Sequence, residues 1–259
     1  PGAAGASLGP PGGRSARPEQ REAEMAETAP RETEIAIIGA GIAGASAAAA
    51  LAGEARVLLL EMEARPGYHS TGRSAALFSK TYGPAPIRAL SRASEAFFDG
   101  PPEGFAAHPL LSPRGVVFAA GEGAEQAAAA EALAAELGDA VTAITPERAV
   151  ELAPFLRREA LTAAFWDDES RDIDVDALHQ GFLRLARARG AELLTNAPLE
   201  GATREGGRWR LATRAGEVRA DVVVNAAGAW ADRVAGLCGV APAGITPKRR
   251  TALIVEGPA

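Results

Sequence analysis

Ile35-Ala-Ile-Ile-Gly39-Ala-Gly41-Ile-Ala-Gly44 decides how this chain folds. Residues 34–38 form a mostly apolar run of strand length. Three glycines follow in the G-x-G-x-x-G pattern, and a small-residue helix, Ala43 to Leu51, comes next. Gly39 makes the tight strand-to-helix turn, Gly41 leaves room for a pyrophosphate, and Gly44 lets the helix sit close to the sheet. Unpaired N–H groups and the positive dipole end of that helix then face the phosphates, worth about 0.3–1 kcal/mol for a charge there. Taken alone the glycine pattern is weak, because Gly and Ala are abundant. Its context is what makes it specific. A second strand, Arg56 to Leu60, follows at the right distance and ends in Glu61. A carboxylate at that place accepts hydrogen bonds from both ribose hydroxyls of an adenosine and repels a 2′-phosphate. These residues suit FAD or NAD and disfavour NADP.

The chain has 259 residues, 47% of them hydrophobic, enough for one large or two small domains with a sizeable core. The net charge is −6, with acids and bases interspersed, and no basic face for nucleic acid is legible. The lone cysteine, Cys238, excludes an internal disulfide and reads as a buried, inert thiol. No stretch is long and apolar enough to span a membrane, and no secretory h-region is present, so the expected location is cytoplasmic. Residues 1–33, rich in Gly, Pro, Ala, Arg and Glu, read as a disordered extension. Met25 stands where a compact chain of this kind would begin, so residues 1–24 read as upstream sequence. The end at Gly257-Pro-Ala259, just after an expected strand, reads as a truncation.

Between these ends the pattern predicts a polar loop over 63–84 and a helix over 85–98. A strand is expected at Gly115–Ala120, a surface helix over 123–137, and a helix capped at Thr145 with Pro146 at its first position. Leu161–Trp166 reads as a strand. Asp174 caps an amphipathic helix with Val175, Leu178, Phe182, Leu185 and Ala186 on one face. Ala191–Leu194 reads as a strand, Trp209–Thr213 and Val218–Asn225 as a hairpin turning at Ala215-Gly-Glu, Ala229–Leu237 as a helix, and Arg250–Glu256 as a strand.

Two further segments invite a ligand. In Asp221-Val-Val-Val-Asn225-Ala-Ala-Gly228-Ala-Trp230 a buried strand ends in small residues, which permit close backbone approach at a sheet's crevice. Tyr68-His-Ser-Thr-Gly-Arg-Ser-Ala-Ala76 sets hydroxyls, a glycine and an arginine just past Glu61. Metal chemistry finds no support. Asp172-Ile-Asp-Val-Asp176 imitates the start of a calcium loop, but Ala177 stands where its glycine is needed and Leu183 where its glutamate is needed. His69, His108 and His179 lack metal-ligand spacing, and His179 reads as structural. No nucleophile–base pair is legible, and no catalytic residue is assigned.

Those glycines and Glu61, with Pro66–Ala76, Asp172–Gly181, Asn225–Trp230 and Pro247–Arg250 in the same order, resemble the D-amino-acid oxidase superfamily over about residues 34–256. The nearest type is the D-arginine dehydrogenase kind of FAD-dependent D-amino-acid dehydrogenase. The resemblance implies an α/β fold: a Rossmann-like FAD-binding domain (34–84 and 170–240) with a second, sheet-rich substrate domain (85–169 and 241–259), here incomplete. It implies FAD on Gly39, Gly41, Ala43 and Gly44 at the pyrophosphate and on Glu61 at the ribose. Met62 and Gly228 join that set. Ser70, Thr71, Gly72, Arg73, Ser74, Ala75, Ala76 and Leu77 would run along the pyrophosphate and flavin, with Leu199 at the adenine. Tyr82 would line the substrate pocket, and the planar fork of Arg250 would grip the substrate carboxylate.

The implied reaction passes hydride from the Cα of a D-amino acid to the flavin, giving an imino acid that water converts to a 2-oxo acid and ammonia. Oxygen or a quinone-like acceptor would reoxidise the flavin. Oxidation of glycine, sarcosine or a 2-hydroxy acid, and a non-catalytic flavoprotein fragment, are the alternatives. Two positions depart from the D-arginine type. Leu77 stands in place of a histidine, and Gly115-Val116 in place of an acid, so the expected substrate is more apolar or the range broader.

Overall fold

A computed structural model of the chain describes residues 29–249 and Thr251. The first stretch holds β1 (Arg31–Glu32), β2 (Ile35–Ile38), α1 (Ile42–Leu51), β3 (Val57–Leu60) and β4 (Leu77–Phe78). Then come α2 (Ala85–Asp99), β5 (Leu111–Pro113), β6 (Val116–Ala120), α3 (Ala124–Leu137), β7 (Thr142–Ile144), α4 (Pro146–Leu152), β8 (Ala163–Asp167) and β9 (Arg171–Ile173). The last stretch holds α5 (Val175–Ala188), β10 (Glu192–Leu194), β11 (Leu199–Glu205), β12 (Arg208–Thr213), β13 (Gly216–Ala220), β14 (Val222–Asn225) and α6 (Ala231–Leu237).

The apolar runs of β2 and β3 form the middle of a parallel sheet, in the order β10-β3-β2-β14. Both faces of these strands are covered, which is why they read as continuous apolar runs and not as alternating ones. Ile37, Val57 and Leu59 point to one face, against Ala45, Ala48 and Ala49 of α1 and Leu183 and Ala186 of α5. Ala36, Ile38, Leu58 and Leu60 point to the other, against Leu199, Leu211, Val218 and Ala220 of the sheet β1-β13-β12-β11 and Val234 of α6. The result is three layers: two helices, the parallel sheet, and a mostly antiparallel hairpin sheet. The registers align Asn225, Ile38, Leu60 and Leu194, so the four carboxyl ends open along one edge.

The remaining strands form two small antiparallel sheets, β4-β9-β5 and β6-β8-β7. Phe105, Leu110 and Leu178 form a third core, with Phe97, Phe98 and Phe182 packed around it. Helix α5 is therefore apolar over more than the single stripe read from its sequence. Leu178 faces the aromatic core while Leu183, Ala186 and the buried His179 face the other way.

Three further differences from the sequence reading have physical causes. The ordered chain begins before residue 34, because β1 pairs with β13 and Thr33 donates its hydroxyl to the Arg56 carbonyl at 2.7 Å. Polar edge residues such as Arg31 and Glu32 carry no apolar signal. The expected strand Val218–Asn225 is two strands in different sheets, broken at Asp221, whose N–H donates to Glu34 O. The hairpin is β12–β13 and pairs Thr213 with Gly216 across the turn at 214–215. Strand β11 lies unread in a polar segment, held by pairing with β12. The expected strand over 250–256 lies outside the described residues.

Asp174 caps α5 as expected, accepting from Ala177 N at 2.8 Å, and its other oxygen meets His108 Nε2 at 2.8 Å. The backbone hydrogen bond first, and His108 second, hold its carboxyl below the ordinary value of 3.8. A depressed carboxyl contributes stability that is complete above its unfolded value and lost as pH falls through the folded one. Asp174→Ala is expected to cost about 1 kcal/mol at neutral pH, the exposed pair with His108 adding little. Urea titrations of both proteins should show that gap narrowing below pH 3.8. At Gly181 of α5 two effects oppose. Alanine gains about 1 kcal/mol of helix propensity. Its Cβ would stand 2.4 Å from the ring of Phe105, itself packed between Phe97 and Phe182. Overpacking costs about 1–3 kcal/mol, so Gly181→Ala is expected to lower the unfolding midpoint.

Candidate functional site

A cleft of about 240 Å³ opens at the carboxyl ends of β2, β3 and β14. Chain order reverses there, since β3 lies on one side of β2 and β14 on the other, and such a switch point is where open α/β sheets bind ligands. Steric demands on the glycine turn are severe. Gly39 has φ +102°, and a Cβ on it would lie 2.5 Å from the Ala226 carbonyl oxygen. A Cβ on Gly44 would lie 1.8 Å from Gly39 O, so α1 rests directly on the turn. Above Gly41 the nearest group is the Thr71 hydroxyl at 3.1 Å, and the rest is open cleft.

The N-terminus of α1 has no side-chain cap from its own Gly41. Thr71 supplies one from 29 residues away, its Oγ1 accepting from Ile42 N at 3.0 Å. The loop 63–71 is thereby fastened over the helix end. Glu61 is buried, a costly place for a carboxylate unless it is hydrogen-bonded. Its two oxygens accept from Ala40 N and Glu63 N, each at 3.0 Å. A carboxylate offers about four acceptor positions, so two remain for a ligand. From α5, His179 Nε2 lies 2.8 Å from Ala40 O. A carbonyl only accepts, so this nitrogen carries the proton. A Cβ on Gly67, which has φ +77°, would come within 2.8 Å of the same imidazole. His179 thus has the structural role read for it, as a post under the turn.

Of the residues singled out in the sequence, Gly39, Gly41, Ala43, Glu61, Met62, Ser70, Thr71, Leu199 and Gly228 line the cleft. Gly44 lies beneath it. Gly72, Arg73, Ser74, Ala75, Ala76 and Leu77 continue from Thr71 toward β4 and line no part of it. Tyr82 is 69% exposed and stands apart from the cleft. Its loop is held from below, where Ser79 Oγ accepts from Thr81 N and Tyr82 N and lies 2.8 Å from Thr81 Oγ1. Thr81 in turn donates to buried Asp167 at 2.6 Å, as does Ser170 at 2.8 Å. Arg250 lies outside the described residues.

The cleft also contains Tyr68, His69, Pro198, Trp230 and Arg233. Tyr68, His69 and Trp230 belong to the two segments noted above, but nothing in their spacing shows that they meet. Pro198 and Arg233 carried no signal, because they reach the cleft only when β11 and α6 fold back onto the sheet. Cys238 is partly buried beside that packing, and burial raises its thiol above the ordinary value. No helix among the described residues is long and apolar enough to cross a membrane.

Residues 34–259 match the family described as FAD dependent oxidoreductase. Over 98 residues the chain is 36% identical to mouse mitochondrial dimethylglycine dehydrogenase, covering 38% of this chain and 11% of that protein. The structure resembles glycine oxidase from Geobacillus kaustophilus, with a TM-score of 0.71 and 22% identity, over 81% of this chain and 59% of that one. It also resembles L-proline dehydrogenase from P. horikoshii, with a TM-score of 0.68 and 26% identity, over 82% and 57%. This chain thus spans under two thirds of the proteins it resembles.

Thr71→Val should remove the only side-chain cap seen on α1 among the described residues, costing about 1 kcal/mol, while Thr71→Ser retains it. Chemical denaturation of the three proteins checks this.

Proposed function

We propose a function on one premise: the chain belongs to the family of FAD-dependent oxidoreductases, whose cofactor is FAD. The residues present fit that cofactor. The glycine turn is open above Gly41, Glu61 keeps acceptor capacity beside it, and the cleft runs along the strand ends. On this reading the chain oxidises an amino acid, and specifically a D-amino acid, to its imino acid, which water hydrolyses to a 2-oxo acid and ammonia. When bound, FAD supplies the oxidising power by accepting the hydride from the substrate's Cα.

What the chain itself does is bind and orient. Residues 34–84 and 170–240 carry the dinucleotide, and residues 85–169 and 241–259 belong to the substrate side. Loop 63–71, fastened by Thr71 and Glu61, holds the pyrophosphate side, and Tyr82 and Arg250 serve the substrate. The single observation that carries the reading is the pairing of the glycine turn with Glu61 at a switch point. That the substrate is an amino acid draws support from glycine oxidase and L-proline dehydrogenase among similar structures. The D configuration rests on the resemblance to the D-arginine dehydrogenase type.

The substrate side chain is read as apolar or varied. Gly115-Val116 stands where the D-arginine type has an acid: a side chain on Gly115, which has φ +77°, would stand 2.0 Å from the ring of Trp166, and Val116 is apolar. Leu77 offers no charge either. A second reading, oxidation of glycine, an N-methylated glycine such as sarcosine, or a 2-hydroxy acid, is favoured by the likeness to glycine oxidase and to dimethylglycine dehydrogenase.

The purified protein should be yellow, with a flavin spectrum. Under anaerobic conditions, bleaching of that spectrum by D-alanine, D-leucine or D-methionine, but not by their L forms, is the expected result. Bleaching by glycine or sarcosine alone selects the second reading. Activity confined to D-arginine and D-lysine would refute the assignment from Leu77 and Val116. Repeating the assay with oxygen or with an artificial quinone identifies the acceptor.

A further inference from the structure

The cleft has two walls of separate origin. One is the loop that follows β3, from Glu61 to Thr71. The other is the turn and helix that follow β14, from Ala226 to Leu237. Among the described aromatic pairs, one joins these walls. The imidazole of His69 lies 4.6 Å from the ring of Trp230, centroid to centroid and tilted by 55°. Both residues line the cleft.

The imidazole is aimed from behind. His69 Nε2 lies 2.9 Å from Glu63 Oε1. Glu63 is itself fixed through both of its backbone groups, with its N–H donating to Glu61 Oε1 at 3.0 Å and its carbonyl accepting from Asn196 N at 3.0 Å. On the far side, Tyr68 meets His69 edge-on at 5.1 Å, and the Arg73 guanidinium lies 4.8 Å from the Tyr68 ring centre. None of these side chains is needed for the packing of the three layers, since none belongs to a buried core cluster. Their exposure is intermediate or high, yet they are ordered against one another across an opening.

We infer that Glu63, His69 and Trp230 form a clasp across the mouth of the dinucleotide cleft, with His69 and Trp230 as positioning residues that slow release of the bound cofactor. The inference rests on the FAD reading of the cleft. The His69–Trp230 contact is the latch, and Glu63 orients its moving half. Because the clasp acts after the ligand is seated, it controls the dissociation rate and leaves the association rate nearly unchanged.

The test is the rate at which bound FAD leaves the purified protein on dilution, followed by flavin fluorescence, with association measured in parallel. His69→Ala and Trp230→Ala are each expected to speed release about tenfold, as the loss of one aromatic contact implies. His69→Phe keeps a ring against Trp230 and loses only the Glu63 contact, so it should release FAD about threefold faster than the natural protein, short of the effect of His69→Ala. Glu63→Gln should speed release about threefold, the worth of one part-exposed hydrogen bond to a carboxylate. In the double variant of His69→Ala with Trp230→Ala, the two effects should not add.

If all variants bind FAD and release it at the natural rate, or if His69→Phe is as fast as His69→Ala, the clasp is refuted while the FAD reading stands. If loss of affinity comes from slower association, the residues shape the fold and not the exit, and the clasp is equally refuted. A natural protein that binds no FAD at all overturns both.

Discussion

One residue, Ala40, has both of its backbone polar groups held by side chains, and the site depends on it. Its N–H donates to Glu61 at the end of β3, and its carbonyl accepts from His179 on α5. Ala40 is fully buried, so water could satisfy neither group. A buried backbone group left unpaired costs about 1–3 kcal/mol, and two such groups lie within one residue of the glycine that must take φ +102°. Glu61 and His179 therefore fix the path of the chain from β2 into α1. That path decides where the N–H groups of the helix end point.

Small residues let this happen in a confined space. Ala45, Ala48 and Ala49 bring α1 against the sheet, Gly44 brings its first turn onto Gly39, and Ala226 brings β14's exit onto the same glycine. Larger side chains at these places would push the helix outward and open the cleft floor. The buried charge of Glu61 is tolerable for a related reason. It faces two backbone donors and the positive end of α1, and it needs no cationic partner. Among the described residues, the one permanent cation lining the cleft is Arg233, on the opposite wall.

Away from the cleft, order is achieved by different means. The loop carrying Tyr82 has little apolar surface to bury. It is held through the Ser79–Thr81 hydroxyl pair onto the buried Asp167, every oxygen of which is engaged by Thr81, Ser170 or the Glu169 and Ser170 N–H groups. Lys80, bridging Glu95 and Glu169, joins the same loop to α2 and to the β8–β9 turn. Hydrogen bonds to one carboxylate and an ion network thus do for this loop what apolar packing does for the sheet.

By itself the sequence determined the βαβ start, the caps at Thr145 and Asp174, the helices read over 85–98 and 123–137, and the acid at the end of β3. Each of these is a local matter. Periodicity, a cap or a glycine at a forced turn is written within a few residues, and so can be read there. Only the tertiary structure decided the rest. The break at Asp221, the polar strand β11 and the edge strand β1 are set by pairing with distant partners, and their own residues carry no apolar pattern. The double duty of Glu61, the cap lent by Thr71 across 29 residues, and the meeting of His69 with Trp230 require that separate loops be brought to one edge. That is the work of the parallel sheet, whose register aligns Ile38, Leu60 and Asn225 and so gathers at one place what the chain keeps far apart.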